Sequence, residues 1–313
     1  MIKVKGLRVD YAKVTAVNDV DIEVAGGQIY GLVGPNGAGK TSFLKAIAGM
    51  IEPTYGEIHI NGVDMELHPR EALKQIGFMP DVPSLYETLK VREYLNVFAA
   101  AYLIEVPRRN RIVQEWVERM NLHDKIDSYV NELSRGMRQR LILAKTLLPD
   151  PAVILLDEPA SGLDPISRLE MRNILTEIAK AGKAIVISSH ILPELSDYCN
   201  AIGIMEKGRM VVSGSLEEIR MQMNIRNELV IQLAKDDDAT HAILFDLLKA
   251  SPLVIEPRVT GKGEFICGFS GDKIQASEFL EYLVVNKLPI AQFILKEPDV
   301  EDIFFKIGAW EVS

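Results

Sequence analysis

The run Gly34-Pro35-Asn36-Gly37-Ala38-Gly39-Lys40-Thr41 has residue types and a spacing that suit one ligand class, the polyphosphate of a nucleotide. A triphosphate needs many hydrogen-bond donors at short range, and backbone N–H groups crowd closest where a residue has no Cβ. Gly34, Gly37 and Gly39 permit that approach, with Pro35, Asn36, Ala38 and Ser42 completing the candidate contact set. Lys40 supplies a mobile charge for the β- and γ-phosphates, and the Thr41 hydroxyl is placed to ligate Mg²⁺.

Two further places carry matching chemistry. Ala152-Val153-Ile154-Leu155-Leu156-Asp157-Glu158 is an apolar run that ends in two carboxylates. Such a run is expected of a parallel strand buried on both faces, and its C-terminal edge is where ligands collect in open α/β sheets. Asp157 is then placed for Mg²⁺, usually through water, and Glu158 to polarise an attacking water. A second apolar run, Ala184 to Ser188, leads to His190, whose imidazole could reach a γ-phosphate from the same edge. His59, His68, His123 and His241 have no such setting and read as ordinary surface or satisfied histidines.

These residues need elements to hold them. Gln28 to Val33 reads as a short buried strand, and Ser42 to Ala48 as a helix with Phe43, Leu44 and Ile47 on one face. Strand, loop and helix N-terminus thus come in the order that sets a positive dipole end under the phosphates. Ile2 to Lys5 and Val17 to Val24 read as strands, with Tyr11 in a polar connection between them; by itself Tyr11 reads as a rim aromatic. Residues 51–80 are turn-rich and β-like, and residues from about 84 to 148 turn helical, as Ile112, Val113, Trp116, Val117 and Met120 show. A helix over Ile166 to Ala179 and a hairpin about Lys207-Gly208 follow. From 226 onward, strands at Leu229–Leu233, Leu253–Glu256, Glu264–Phe269 and Ile290–Leu295 alternate with helices at His241–Lys249 and Ile274–Asn286. Asp236-Asp237-Asp238 lacks the glycine and the distant ligands of a cation loop and reads as a solvated turn.

The whole chain bounds the answer. With 313 residues it has room for one large core and a smaller one. A net charge of −9 argues against general nucleic-acid binding, which usually shows a basic stripe. Val97 to Ile104 is the longest apolar run, far short of the roughly 20 residues that cross a bilayer. Met1 to Gly6 shows no signal-peptide core, and Cys199 and Cys267 have no disulfide or metal spacing, which suits a reducing cytosol. A role at a membrane would therefore come through a partner.

One more stretch points to a family. Leu133-Ser134-Arg135-Gly136-Met137-Arg138-Gln139-Arg140 resembles the Leu-Ser-Gly-Gly-Gln signature of ATP-binding cassette (ABC) ATPases, and the order of motifs is also theirs. The resemblance covers roughly residues 2–218. It implies an α/β fold: a P-loop nucleotide-binding domain (1–220) with an antiparallel β-subdomain and an inserted α-helical subdomain (about 84–148). A small α+β accessory domain (226–313) is expected to follow.

The roles it implies are these. Tyr11 would stack on adenine, Gly34 to Thr41 would hold ATP and Mg²⁺, and Asp157 would support the metal. Glu158 would act as general base and His190 would contact the γ-phosphate. Asp164 would communicate between subunits, while Ser134 and Gly136 would bind ATP held by a second subunit in a head-to-tail homo- or heterodimer. Arg135 and Met137 depart from the signature, and Asp81 stands where the family commonly has a Mg²⁺-sensing Gln; its carboxylate can still approach Mg²⁺, directly or through water, but cannot donate as an amide does. The implied protein is the ATPase subunit of an exporter-type transporter, peripheral on the cytoplasmic face of the cell membrane and working on a separate transmembrane permease. A final Val300-Glu301-Asp302-Ile303-Phe304 fits the same branch. The alternatives are a soluble ABC ATPase in a non-transport role, which commonly has two cassettes or a coiled-coil insertion, and a non-catalytic ATP sensor, against which Glu158 and His190 argue. No Asn-Lys-x-Asp guanine motif supports a GTPase.

Overall fold

The computed structural model describes residues 1–191, 195, 198–222, 227–235, 237–261 and 263–296. Asp236 and the stretch Val300–Phe304 lie outside the described residues. The chain divides into two compact units, Met1–Leu216 and Glu217–Ser313.

In the first unit β1 (Ile2–Tyr11) and β2 (Val14–Val24) form a long antiparallel hairpin. Its alternating positions (Ile2, Val4, Val20, Ile22, Val24) are buried because a strand sends successive side chains to opposite faces. Tyr11 is therefore not in a connection. It is the last residue of β1, opposite Val14 and 44% exposed. Irregular pairing between Val4 and Leu7, around Gly6, breaks the apparent alternation and hides the strand's continuation.

Next come β3 (Ile29–Val33) and α1 (Lys40–Ile47), then β4 (Tyr55–Ile60), β5 (Val63–Asp64), α2 (Pro69–Leu73) and β6 (Ile76–Met79). Of these, β4 and β5 extend the first hairpin into a sheet of order β2-β1-β4-β5, whereas β3 and β6 enter a different sheet. The helical insertion holds α3 (Val91–Ala101), α4 (Val106–Arg119) and α5 (Arg135–Leu147). It is followed by β7 (Val153–Asp157), α6 (Pro165–Lys180), β8 (Ala184–Ser189), β9 (Ala201–Glu206) and β10 (Arg209–Gly214).

The central sheet has the order β10-β9-β3-β8-β7-β6 and is parallel from β9 to β6, with β10 antiparallel at one edge. Every residue of β3, β7 and β8 is buried, which is why their sequences run apolar without alternation. One core joins the two sheets through α1: Ile2, Ile22, Ile60, Phe43, Leu44, Leu155 and Val186 all belong to it. The parallel order brings the C-terminal ends of β3, β7 and β8 side by side, and those ends carry the chemistry.

The second unit opens with α7 (Leu216–Gln222), whose first residue closes the preceding unit. It continues as β11 (Asn227–Leu233), α8 (Asp238–Ala250), β12 (Val254–Gly261), β13 (Glu264–Phe269), α9 (Lys273–Val285) and β14 (Ile290–Lys296). The strands form an antiparallel sheet of order β12-β13-β11-β14. That βαββαβ arrangement is ferredoxin-like. Leu229, Ile231, Phe265 and Phe269 meet Leu244, Leu248, Phe279 and Leu283 in a core of its own. Asp237 caps α8 by accepting the Thr240 N–H at 2.9 Å and pairs with Lys235 at 3.0 Å.

Candidate functional site

The phosphate-loop candidate runs from the end of β3 to the start of α1. Gly34 N–H donates to Ser189 O at the end of β8 (3.3 Å), which ties the loop to the neighbouring strand. Gly39 N-caps α1 with φ 105°, and a Cβ there would collide with Ala16 O of β2, so the turn demands glycine. Thr41 and Ser42 occupy the first turn of α1, with Thr41 exposed. Lys40 is only 6% exposed. Its ammonium donates to Gly34 O (2.6 Å) and Pro35 O (3.3 Å) and lies 3.5 Å from Glu158 Oε1. Burial pulls the Lys40 pKa below its ordinary value, and the negative charges of Glu158 and Asp157 push back.

Across the sheet, Asp157 ends β7 and is 1% exposed. Such a buried carboxylate needs a partner. The fully buried Ser188 of β8 provides it: Ser188 Oγ donates to Asp157 Oδ1 at 2.6 Å and accepts the Glu158 N–H at 3.0 Å. Glu158 itself has φ 50°, a left-handed backbone that side-chain-bearing residues take at a cost on the order of 1–3 kcal/mol. Held that way, its carboxylate reaches both Lys40 and His190, with Oε2 at 2.8 Å from His190 Nδ1. Lys40, Asp157, Glu158 and His190 thus form one cluster, and Ser188 is the member that sequence reasoning missed. Its signal lies in strand pairing: in the parallel register of β7 with β8, Asp157 stands opposite Ser188.

Asp81 follows β6, the next strand over. Burial raises its pKa above the usual carboxylate range, then Asp157 and Glu158 raise it further, while Arg135 and His190 oppose them. Among the described residues no three acidic, histidine or cysteine side chains gather closely enough to hold a metal ion by themselves. A Thr41 hydroxyl and one buried carboxylate, Asp157, nevertheless suit Mg²⁺, which usually takes one or two protein ligands and completes its shell with phosphate and water.

The remaining candidates lie elsewhere in the same unit. Ser134 N-caps α5, accepting the Met137 N–H at 3.3 Å, and is itself exposed. Gly136 is buried against Ser167, whose hydroxyl donates to Asp164 at 2.7 Å. Asp164 caps α6 by accepting the N–H groups of Ile166 (3.1 Å) and Ser167 (2.9 Å), and these bonds lower its pKa. The first turns of α5 and α6 therefore pack together. Ser134 and Gly136 make no hydrogen bond to the phosphate loop, and Tyr11 stands at the far end of β1.

Residues 17–161 match the family model described as ABC transporter. The bacitracin transport ATP-binding protein BcrA of Bacillus licheniformis is 32% identical over 98% of this chain and 97% of its own length. A Nod factor export ATP-binding protein I of Burkholderia orbicola is 36% identical over 97% and 95%. A solved structure of an ATP-binding subunit of an ABC transporter, 32% identical, covers 72% of this chain and 94% of its own with a TM-score of 0.65.

Proposed function

This chain belongs to the ATP-binding proteins of ABC transporters, and on that premise we propose that it hydrolyses Mg²⁺·ATP to drive a separate transmembrane exporter. The observation that carries the reading is the contact of Glu158 with both Lys40 (3.5 Å) and His190 (2.8 Å) at the C-terminal edge of β3, β7 and β8.

The chain's own groups divide the work as follows. Lys40 leaves Gly34 O and Glu158 to neutralise the β- and γ-phosphate oxygens, while Gly34 to Ser42 offer N–H groups at the start of α1. Tyr11 would pack on the base. Asp157, held by Ser188, and Thr41 would ligate Mg²⁺, with Asp81 close by. Bound there, Mg²⁺ supplies charge for the phosphoryl oxygens. Glu158, released from Lys40, orients a water and accepts its proton as that water attacks the γ-phosphate. His190 Nδ1 holds the Glu158 carboxylate, and its opposite ring edge would meet the γ-phosphate. Ser134 and Gly136 would complete the site of a second subunit, head to tail.

The names of the two relatives, one for bacitracin transport and one for Nod factor export, support the exporter assignment. Among the described residues no helix is long and apolar enough to cross a membrane. A permease would hold the subunit at the cytoplasmic face, docking against the helical insertion.

Glu158→Gln tests the catalytic part. ATP affinity by calorimetry should survive, and phosphate release should slow by about 10²–10⁴-fold, the usual worth of a general base. Turnover close to that of the unsubstituted chain would defeat the assignment.

A further inference from the structure

The corner between α3 and α4 breaks two local rules at exposed positions. The last turn of α3 closes as a Schellman motif, in which Leu103 N–H donates to Ala100 O (2.9 Å) and Ile104 N–H to Ala99 O (3.0 Å). Leu103, at the bend of that motif, has φ 59°, a conformation that costs a side-chain-bearing residue energy and is usually given to glycine. The same position after α1, α4, α6 and α9 holds Gly49, Asn121, Gly182 and Lys287, none with an apolar side chain. Leu103 is nonetheless 87% exposed, and Tyr102 and Val106 are exposed beside it. The second rule is electrostatic. Arg108, Arg109 and Arg111 lie in the first two turns of α4, which hold no acid, although the positive end of the helix dipole disfavours cations there. The corner is also fixed in shape: Arg109 donates to Ile104 O through Nη2 (2.9 Å) and Nε (3.3 Å), while Arg108 and Arg111 remain exposed. Folding gains nothing from an exposed leucine in a strained turn or from cations at that helix end.

We propose that this corner, Tyr102 to Arg111, rests on a bilayer surface that carries anionic headgroups, with Leu103 and Val106 entering the interface and Arg108 and Arg111 meeting lipid phosphates. The inference extends the transporter reading above, which sets the subunit at a membrane. Charge favours this occupant: Glu105 is the one acid among residues 102–111, against three arginines, on a chain whose net charge is −9. Size favours it too. Three apolar side chains on an exposed turn fall far short of the roughly 800 Å² that a stable protein interface takes from each partner. A bilayer asks for less, because a few apolar side chains at the headgroup boundary add to the attraction of each nearby cation. Tyr102, apolar in its ring and polar at its tip, suits that depth.

The test is flotation of the full chain, without nucleotide, on vesicles of phosphatidylcholine and phosphatidylglycerol in equal parts, against vesicles of pure phosphatidylcholine. The chain should bind the mixed vesicles about tenfold more tightly than the neutral ones, and high salt should erase the difference. Leu103→Gly should weaken binding to the mixed vesicles by about tenfold, as an apolar anchor is lost. Its urea midpoint should stay level or rise, because glycine relieves the strained turn, so misfolding cannot account for the loss. Arg108→Gln and Arg111→Gln should each weaken binding by about fivefold. Phosphate release in solution should be the same for the unsubstituted chain and every variant. A chain that ignores the mixed vesicles, or whose flotation Leu103→Gly leaves unmoved, would overturn the inference while its phosphate release upholds the ATPase reading. A corner that matters only for attachment to membranes containing the permease would assign it to a protein partner and overturn the inference as well. Absent phosphate release would defeat the ATPase reading and leave the vesicle result to be judged by itself.

Discussion

Lys40, Glu158 and His190 are joined in a short chain of contacts, and each link restrains a group that catalysis must free or aim. The ammonium that should meet phosphate is bonded to Gly34 O at 2.6 Å, and the carboxylate that should take a proton is held by His190 at 2.8 Å. The strained φ of 50° at Glu158 persists because Ser188 accepts its N–H. Ser188→Ala removes a donor to Asp157 and an acceptor from Glu158 at once, leaving two buried polar groups unsatisfied. A loss of about 1–3 kcal/mol in denaturant unfolding is expected. ATP hydrolysis should fall as well, and Ser188→Thr, which keeps the hydroxyl, should retain both; an alanine variant as stable and active as the parent would count against the bridge. The motif residues were legible because phosphate chemistry constrains their types and spacing along the chain. Ser188 was not, because its role arises across strands, from the register that sets it opposite Asp157.

At the scale of elements, β7 does most to position the site, since it lies between β6 and β8 and delivers Asp157 to the ligand edge. Its apolar run could be read as a buried strand before any coordinates, as could the strand before Gly34. What could not be read was the sorting of strands between sheets. Residues 51–80 look uniformly β-like, yet β4 joins the antiparallel sheet while β6 pairs in parallel with β7. That choice depends on long-range pairing, which leaves no local periodicity. The same limit applied to β1, whose irregular pairing around Gly6 concealed its extension to Tyr11. Leu155 is fully buried in β7 and belongs to the core shared with α1. Leu155→Ala is expected to cost about 2–5 kcal/mol in urea unfolding, the range for a core leucine that leaves a cavity. A shift below 1 kcal/mol would mean that the sheet relaxes around the gap and that β7 is less tightly clamped than its burial indicates.

At the scale of the whole molecule, the groups proposed to embrace one ATP fall into two sets held by different elements of the first unit. Lys40, Asp157, Glu158 and His190 converge at the sheet edge. Ser134 is exposed at the α5 N-terminus and bonds only within its own turn, where a helix end with free N–H groups would favour an anion. Each chain would then bring half of two sites, and ATP would favour association because its γ-phosphate gains contacts only when a second chain closes over it. Hydrolysis removes that phosphate, so the slow variant Glu158→Gln should trap the closed pair. Sedimentation of Glu158→Gln is expected to show a monomer without nucleotide and a dimer with Mg²⁺·ATP, at concentrations where Mg²⁺·ADP leaves it monomeric. Adding Ser134→Glu places a carboxylate against the incoming γ-phosphate. That change should abolish the dimer while the single chain still binds ATP through Lys40 and the phosphate loop. A chain that stays monomeric with Mg²⁺·ATP at every concentration would sink the half-site arrangement. A dimer indifferent to Ser134→Glu would place the pairing surface elsewhere.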